Sequence, residues 1–450
     1  MVSPGRHHGS ARLQAPAFPP LALALPCSWA IHKGMDAPLA PYRCLDLTDW
    51  RGWLCGKLLA DLGMDVIKLE PPSGDPGRWW GPFLHDHSDA ETCLPFWFQN
   101  RGKRSVTLNL ETPDGQALLL ELVARADCLV ESFEPGYLAG LGLDAARLEQ
   151  ANPALVHTSI TAFGSKGPYA GLPATDLTLQ ALCGHMYLTG EPDQPPVRVS
   201  VPQAFPHAAA EAALDTVIAL YHAKRTGTGQ HVDVSAQLVQ MRSMMNAAQF
   251  PPLEHRNITR QGNSFELGEF RLKVVYRCSN GFITIMPFSS ATDSANLVAL
   301  RDWAHEELGT PPHLEGAPVD QLNLFSLLFE PDKQALIVAL CQHLAGLFLR
   351  HTKEELYEGA IARSILLAPI NTMADIMQDR QLQAREYFVT VDHGSLGPVT
   401  YPGPWARLSA TPLANTPRAP HIGEHSAAVY GELLGLSAQR QLLLQQLHVI

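Results

Sequence analysis

The sequence predicts an α/β protein: a parallel sheet with helical cover, followed by a second, smaller domain. Short β-rich runs alternate with helical stretches at the spacing of βαβ units from about residue 42 to residue 248. Beyond Pro251 that alternation stops and hairpin and helix signals take over. A chain of 450 residues is long enough for two such domains.

Tyr42 to Thr48 reads as a strand, Trp53 to Leu62 as a helix ended by Gly63, and Asp65 to Leu69 as the next strand, which makes an opening βαβ unit. After a loop rich in Pro and Trp comes a strand over Ser105 to Leu110. The helix that follows starts with Thr112 as N-cap and Pro113 in its first turn, where a missing N–H costs nothing. Strands over Asp127 to Glu131 and Leu155 to Ala162 precede an Ala-rich helix, His207 to His222, whose small residues permit close packing. A Gly-rich turn, Thr226 to Gln230, leads to a strand over His231 to Val234 and a helix through Met241 to Ala248. Such an alternation is read most economically as a parallel sheet.

In the second domain, Leu272 to Cys278 and Phe282 to Pro287 flank Ser279, Asn280 and Gly281, a hairpin signal. Helices follow near 291–308, 332–349 and 353–363, the last opened by a capping box of Thr352 and Glu355. Short strands near 387–400 and a Pro-rich loop lead to terminal helices at 424–434 and 437–447.

Composition excludes several classes of function. Hydrophobic residues make up 46% and charged residues 17%, which is globular rather than disordered. A formal charge of -11 opposes general binding to nucleic acid or anionic lipid. Residues 1–34 lack Asp and Glu, and their apolar stretch is broken by Pro19, Pro20 and Pro26. They read as a disordered leader or an over-long start before Met35, too short and kinked to span a bilayer. Eight cysteines, with no CxxC pair, read as buried, reduced thiols of a cytoplasmic protein. Walker, GxGxxG, GxSxG and HExxH motifs are missing. His85 and His87 read as a solvated loop rather than metal ligands, and His421, Glu424 and His425 as a local helix cap. Asn100 to Arg104 places three cations just before a strand, which fits either a solvated turn or a phosphate clamp.

Six runs in order carry a further signal: LLADLGMDVIKLEPPSGDPGR (58–78), NRGKRSVTLNLETPDG (100–115), DCLVESFEPG (127–136), NPALVHTSITAFGSKGPY (152–169), RTGTGQHVDVS (225–235) and APHIGEH (419–425). Together they resemble the family III CoA-transferases (CaiB/BaiF type), the group of formyl-CoA and carnitine CoA-transferases and α-methylacyl-CoA racemases. The resemblance implies a Rossmann-like large domain over 35–250, completed by 386–450, with a smaller α+β domain over 251–385 inserted between. It also implies an interlocked homodimer, and leaves open a paralogous partner subunit. CoA thioester and free carboxylate would be substrates, with no permanently bound cofactor. By matched motif, CoA contacts would fall on Arg51 and Gly52, on Leu108 to Glu111, on Ser132, Phe133 and Glu134, and on Leu172 to Thr175. Two arginines of formyl-CoA transferase are Pro71 and Gly140 here, so Lys103 and Arg104 are expected to take more of the phosphate load.

Family transferases attack the thioester with an Asp carboxylate. The matched position is Phe205, flanked by Gln203 and His207, with no acid between Asp193 and Glu211. Gln203 and His207 are expected to bind substrate or move a proton. The racemases use an Asp that matches Asp176, paired with a His that is Ala146 here. Asp176 therefore stands as the candidate acyl acceptor or base, or as a helix N-cap. The leading expectation is CoA transfer between carboxylic acids; the rivals are an acyl-CoA racemase and a CoA-thioester-binding subunit of a catalytic paralogue.

Overall fold

A computed structural model describes residues 37–450 apart from Asn246, Ser289 and Ala414, so the expectations for residues 1–34 and for Cys27 lie outside the described residues. Strands β1 (Arg43–Leu47), β2 (Asp65–Glu70), β3 (Arg104–Thr107), β4 (Cys128–Glu131), β5 (Val156–Thr161) and β6 (Gln230–Ser235) form one sheet in the order β3-β2-β1-β4-β5-β6. Every neighbouring pair is parallel. The chain walks outward from β1 to β3, returns to lay β4 beside β1, and walks outward again. Strand order therefore reverses between β1 and β4, and the connections leaving their carboxyl ends run to opposite faces of the sheet, the place where open α/β sheets form a crevice.

Helices α1 (Trp53–Asp61), α2 (Leu94–Asn100), α3 (Pro113–Val123), α4 (Tyr137–Gly140), α5 (Ala145–Ala151), α6 (Asp176–Leu182), α7 (Ala204–Thr226) and α8 (Ala236–Arg242) connect and cover these strands. Thr112 caps α3 as its sequence predicts, its hydroxyl accepting the Gly115 N–H at 3.1 Å. On one face of the sheet, Ala208, Ala209, Ala212 and Ala213 of α7 are buried with Cys44, Val130, Val156, Cys55 and Leu59. Small side chains let that helix lie close to the strands. On the other face, Leu45, Ile67, Val106 and Leu129 pack with α3 and with Val429, Tyr430, Val449 and Ile450 from the chain's end. Hydrogen bonds tie that end to the β3 segment, among them Tyr430 donating to the Thr107 carbonyl at 2.7 Å and the Asn109 N–H to the Val449 carbonyl at 2.8 Å.

Residues 272–367 build a separate hydrophobic core around Trp303, Leu340, Leu344 and Phe348. Val275–Cys278 and Gly281–Ile285 pair antiparallel around Ser279 and Asn280, and the Thr352–Glu355 capping box opens the helix Lys353–Ala362. Among the described residues no single helix is long and apolar enough to cross a membrane.

Three local expectations differ from the structure. The helix expected through Met241 to Ala248 instead ends at Arg242, having started at Ala236 under a Ser235 cap. The seven residues of α2, LPFWFQN, are too short and too aromatic to show a helical period. The antiparallel pair Ser264–Leu267 and Phe270–Lys273, joined at Gly268 with φ 62°, adds a hairpin ahead of the one the sequence predicts.

Candidate active site

Leu47 at the end of β1 is in register with Glu131 at the end of β4, so the residues just beyond them face each other across the strand-order reversal. The Asp49 N–H donates to Ser132 Oγ at 2.9 Å, and that hydroxyl donates to Asp49 Oδ1 at 2.9 Å. Arg51 Nε lies 3.0 Å from both Asp49 oxygens, while its terminal nitrogen donates to Glu134 Oε1 at 2.6 Å. Burial disfavours the Arg51 charge, but the Asp49 and Glu134 carboxylates outweigh it and hold its pKa above the ordinary value. Gly52 is needed because a Cβ there would lie 2.5 Å from Thr48 Cγ2, so only glycine lets α1 start this close behind β1. Phe133 is half-buried beside them, its ring tilted against Tyr137 with centroids 4.5 Å apart. Arg51, Gly52, Ser132 and Phe133 thus come together at the crevice.

A second group gathers at the first turn of α7. Asp176 does not cap its own helix: Thr175, at the exposed start of α6, is the N-cap and forms a reciprocal box with Thr178. The buried Asp176 carboxylate turns away to α7. Its Oδ1 accepts the N–H of Phe205 at 3.2 Å, both oxygens lie 3.0 Å from the Gln203 N–H, and Oδ2 accepts the Gln180 amide at 2.6 Å. Those N–H groups are helix-terminal donors that Gln203, the N-cap residue, does not satisfy with its own side chain. Gln203 instead donates its amide to the Pro202 carbonyl at 3.0 Å, and His207 projects from the first turn of α7 into solvent. Phe205 is wholly buried, edge-on to Trp50 with centroids 5.1 Å apart. Trp50 in turn packs against Trp80 with ring centroids 4.7 Å apart and planes tilted by 39°.

The phosphate-clamp expectation for Lys103 and Arg104 is corrected. Lys103 is sealed beneath α1, its three ammonium protons directed at Asp46 Oδ2 (2.7 Å), the Trp53 carbonyl (2.8 Å) and Asn100 Oδ1 (2.8 Å). Gly56 makes room for this pair, since a Cβ there would lie 2.2 Å from Asp46 Oδ2. Arg104 forks onto both oxygens of Asp65, the first residue of β2, and so lies at the amino ends of the strands, away from the carboxyl ends where Arg51 and Ser132 gather. Leu108 buries its side chain in the core and donates its N–H to the Glu70 carbonyl at 2.7 Å, leaving it no side chain for a ligand.

Other histidine readings sort by contact. His425 is not a local cap: its Nδ1 accepts the Ser105 N–H at 3.3 Å, while His421 Nδ1 lies 2.8 Å from Glu91 Oε2. His85 and His87 lie on the exposed loop, and no metal-ligating cluster occurs among the described residues. The seven described cysteines are buried thiols without disulfides.

Sequence reasoning missed Trp50, Trp80 and Gln180. The available signal was the tandem Trp79–Trp80 in an otherwise polar loop; nothing in the spacing joins Trp80 to residues 50 and 205.

Known proteins match most of the chain in sequence and in fold. The model of CoA-transferase family III matches residues 39–426. The succinyl-CoA:(R)-benzylsuccinate CoA-transferase subunit BbsE of Thauera aromatica is 33% identical over 400 residues, covering 88% of this chain and 95% of that protein. A formyl-CoA:oxalate CoA-transferase of Streptomyces avermitilis is 31% identical over 439 residues, covering 92% and 100%. The crystal structure of a CAIB/BAIF family protein from Brucella suis superposes with a TM-score of 0.74 at 29% identity, covering 88% of this chain and 100% of that one. A parallel sheet reversing at β1 and β4, six motifs in order and a family match over most of the length lead to one conclusion: the chain belongs to the family III CoA-transferases.

Proposed function

We propose that this protein moves CoA from an acyl-CoA to a free carboxylic acid, with CoA lying over the crevice beyond β1 and β4 and the thioester directed at the first turn of α7. The observation that carries the reading is the Arg51 guanidinium, which ties Asp49 to Glu134 across the strand-order reversal where open α/β sheets bind their ligands. Arg51, Gly52, Ser132 and Phe133 would line the CoA site, with Thr175 at its rim. The protein would act in the cytoplasm as a homodimer; the buried free thiols support a reducing compartment.

Asp176 is the carboxylate proposed as acyl acceptor, because it reaches the turn that holds the family's nucleophile position. One of its oxygens attacks the thioester carbonyl carbon, the C–S bond breaks, and CoA leaves as thiolate, giving a mixed anhydride. The thiolate then attacks the aspartyl carbonyl and releases the first acid. The acceptor carboxylate attacks the resulting aspartyl-CoA thioester, and the thiolate freed in that step attacks the acceptor's own carbonyl, forming the new thioester and restoring Asp176. Acylation on Oδ2 gives up the Gln180 bond and that oxygen's share of the Gln203 N–H, while Oδ1 keeps the Gln203 and Phe205 N–H groups. Gln203 and His207, beside this turn, would orient the acids.

Phe205 favours a second reading, in which this chain holds the CoA thioester and a paralogous subunit supplies the carboxylate. Supporting it are the wholly buried ring at the nucleophile position and the three donors already engaged by Asp176. The Thauera relative is itself named a subunit.

The test is chromatographic. The purified chain is given a panel of acyl-CoA donors and carboxylate acceptors, and new thioesters are measured. Transfer that is lost in Arg51→Ala supports the first reading. Tight CoA binding with no transfer, restored when a paralogue is added, supports the second.

A further inference from the structure

Trp80 is an indole held rigidly in the open. It is 61% exposed, and its one aromatic partner among the described residues is Trp50. The loop beneath it is fixed by buried groups. The Asp75 carboxylate accepts the Gly77 N–H and the Trp53 indole N–H, each at 2.8 Å, and Arg78 forks onto Glu70 at 2.7 and 2.8 Å and donates to the Pro420 carbonyl at 3.0 Å. Gly77 presses so close to Trp53 that a Cβ would lie 2.5 Å from its ring. An indole kept in water on so firm a support presents a preorganised flat apolar face, and aromatic faces gain from stacking against another ring.

Its position is set by Trp50, which stands between Asp49 and Arg51 at the crevice and backs onto Phe205 at the start of α7. Trp80 therefore ends an aromatic cluster, tilted against Trp50, which in turn meets Phe205 edge-on at the first turn of α7. Arg51, the cation beside Trp50, is already matched by the Asp49 and Glu134 carboxylates. A second carboxylate on the acyl chain would meet a net negative charge there, whereas a ring would meet Trp80.

Building on the proposed CoA site, we propose that Trp80, backed by Trp50 and Phe205, is the platform for the acyl group, and that one of the two acids exchanged carries an aryl or similarly flat apolar group.

The experiment is calorimetric titration of the full-length protein with CoA, acetyl-CoA and phenylacetyl-CoA. Phenylacetyl-CoA is expected to bind about tenfold more tightly than acetyl-CoA. Trp80→Ala should shrink that ratio to about twofold or less while free CoA binds as before, and Trp80→Phe should restore most of it. Equal affinities for the two thioesters in the native protein, or an unchanged ratio in Trp80→Ala, would overturn the assignment while leaving the CoA site standing. Failure of all three compounds to bind would remove the CoA site and this platform with it.

Discussion

The carboxylate of Asp176 accepts the backbone N–H of Phe205 at 3.2 Å, so an acid from the start of α6 occupies the N-terminus of α7. Helix N-termini favour anions through their free N–H groups and the macrodipole. Asp176 is therefore the anion that completes α7, and in the proposed reaction it is also the carboxylate that is acylated.

Replacing Asp176 tests both roles. Asp176→Asn keeps one acceptor oxygen but turns an N–H2 toward groups that already donate, so thermal unfolding should show a loss of about 1–2 kcal/mol. Incubation with an acyl-CoA and trapping with hydroxylamine should label the peptide carrying residue 176 in the native protein and leave it unlabelled in the variant. An undiminished adduct in Asp176→Asn would place the acyl group elsewhere.

Lys103→Met separates a structural lysine from a ligand-binding one. It leaves the Asp46 carboxylate buried without its cation, which should cost about 3–5 kcal/mol in chemical denaturation. CoA affinity per folded molecule should be unchanged; a large drop would return Lys103 to the binding site.

Gly52→Ala places a methyl group against Thr48 at the foot of the crevice. Overpacking there should cost about 1–3 kcal/mol and shift Arg51 enough to weaken CoA binding measurably. Unaltered stability and binding would show that the turn relaxes freely.

Acid should unfold the protein through two buried pairs. Burial pushes both carboxyls up, but the Lys103 and Lys68 ammonium groups beside Asp46 and the Arg78 guanidinium on Glu70 outweigh it and hold both below the usual carboxylate range. Groups with depressed folded pKa values contribute fully above their unfolded values of about 4 and lose that contribution as the pH falls through the folded ones. The denaturation midpoint should thus fall progressively below about pH 5, and less steeply in Glu70→Gln once its lower starting stability is subtracted. Identical slopes would show that Glu70 carries none of the dependence.

The sequence by itself determined the alternation of the six sheet strands with the helices α1, α3 and α7, the Thr112 cap, the Thr352–Glu355 box and the family. Each of these is written in neighbouring residues, through backbone preferences and side chains that satisfy N–H groups three positions away. The motifs also named Arg51, Gly52, Ser132 and Phe133, which the fold brings to one crevice because β1 and β4 are adjacent and parallel. Tertiary structure alone decided the rest. Lys103 and Arg104 look like a phosphate clamp in the chain, yet one is matched by Asp46 and the other by Asp65, partners on other strands that no spacing reveals. Asp176 reads as a cap for its own helix but bonds to another, because Thr175 takes the local role and the start of α7 lies within reach. Trp50, Trp80 and Phe205 meet only when the sheet has formed, since contacts between side chains distant along the chain depend on the crossing of whole elements, not on any local preference of the residues that make them.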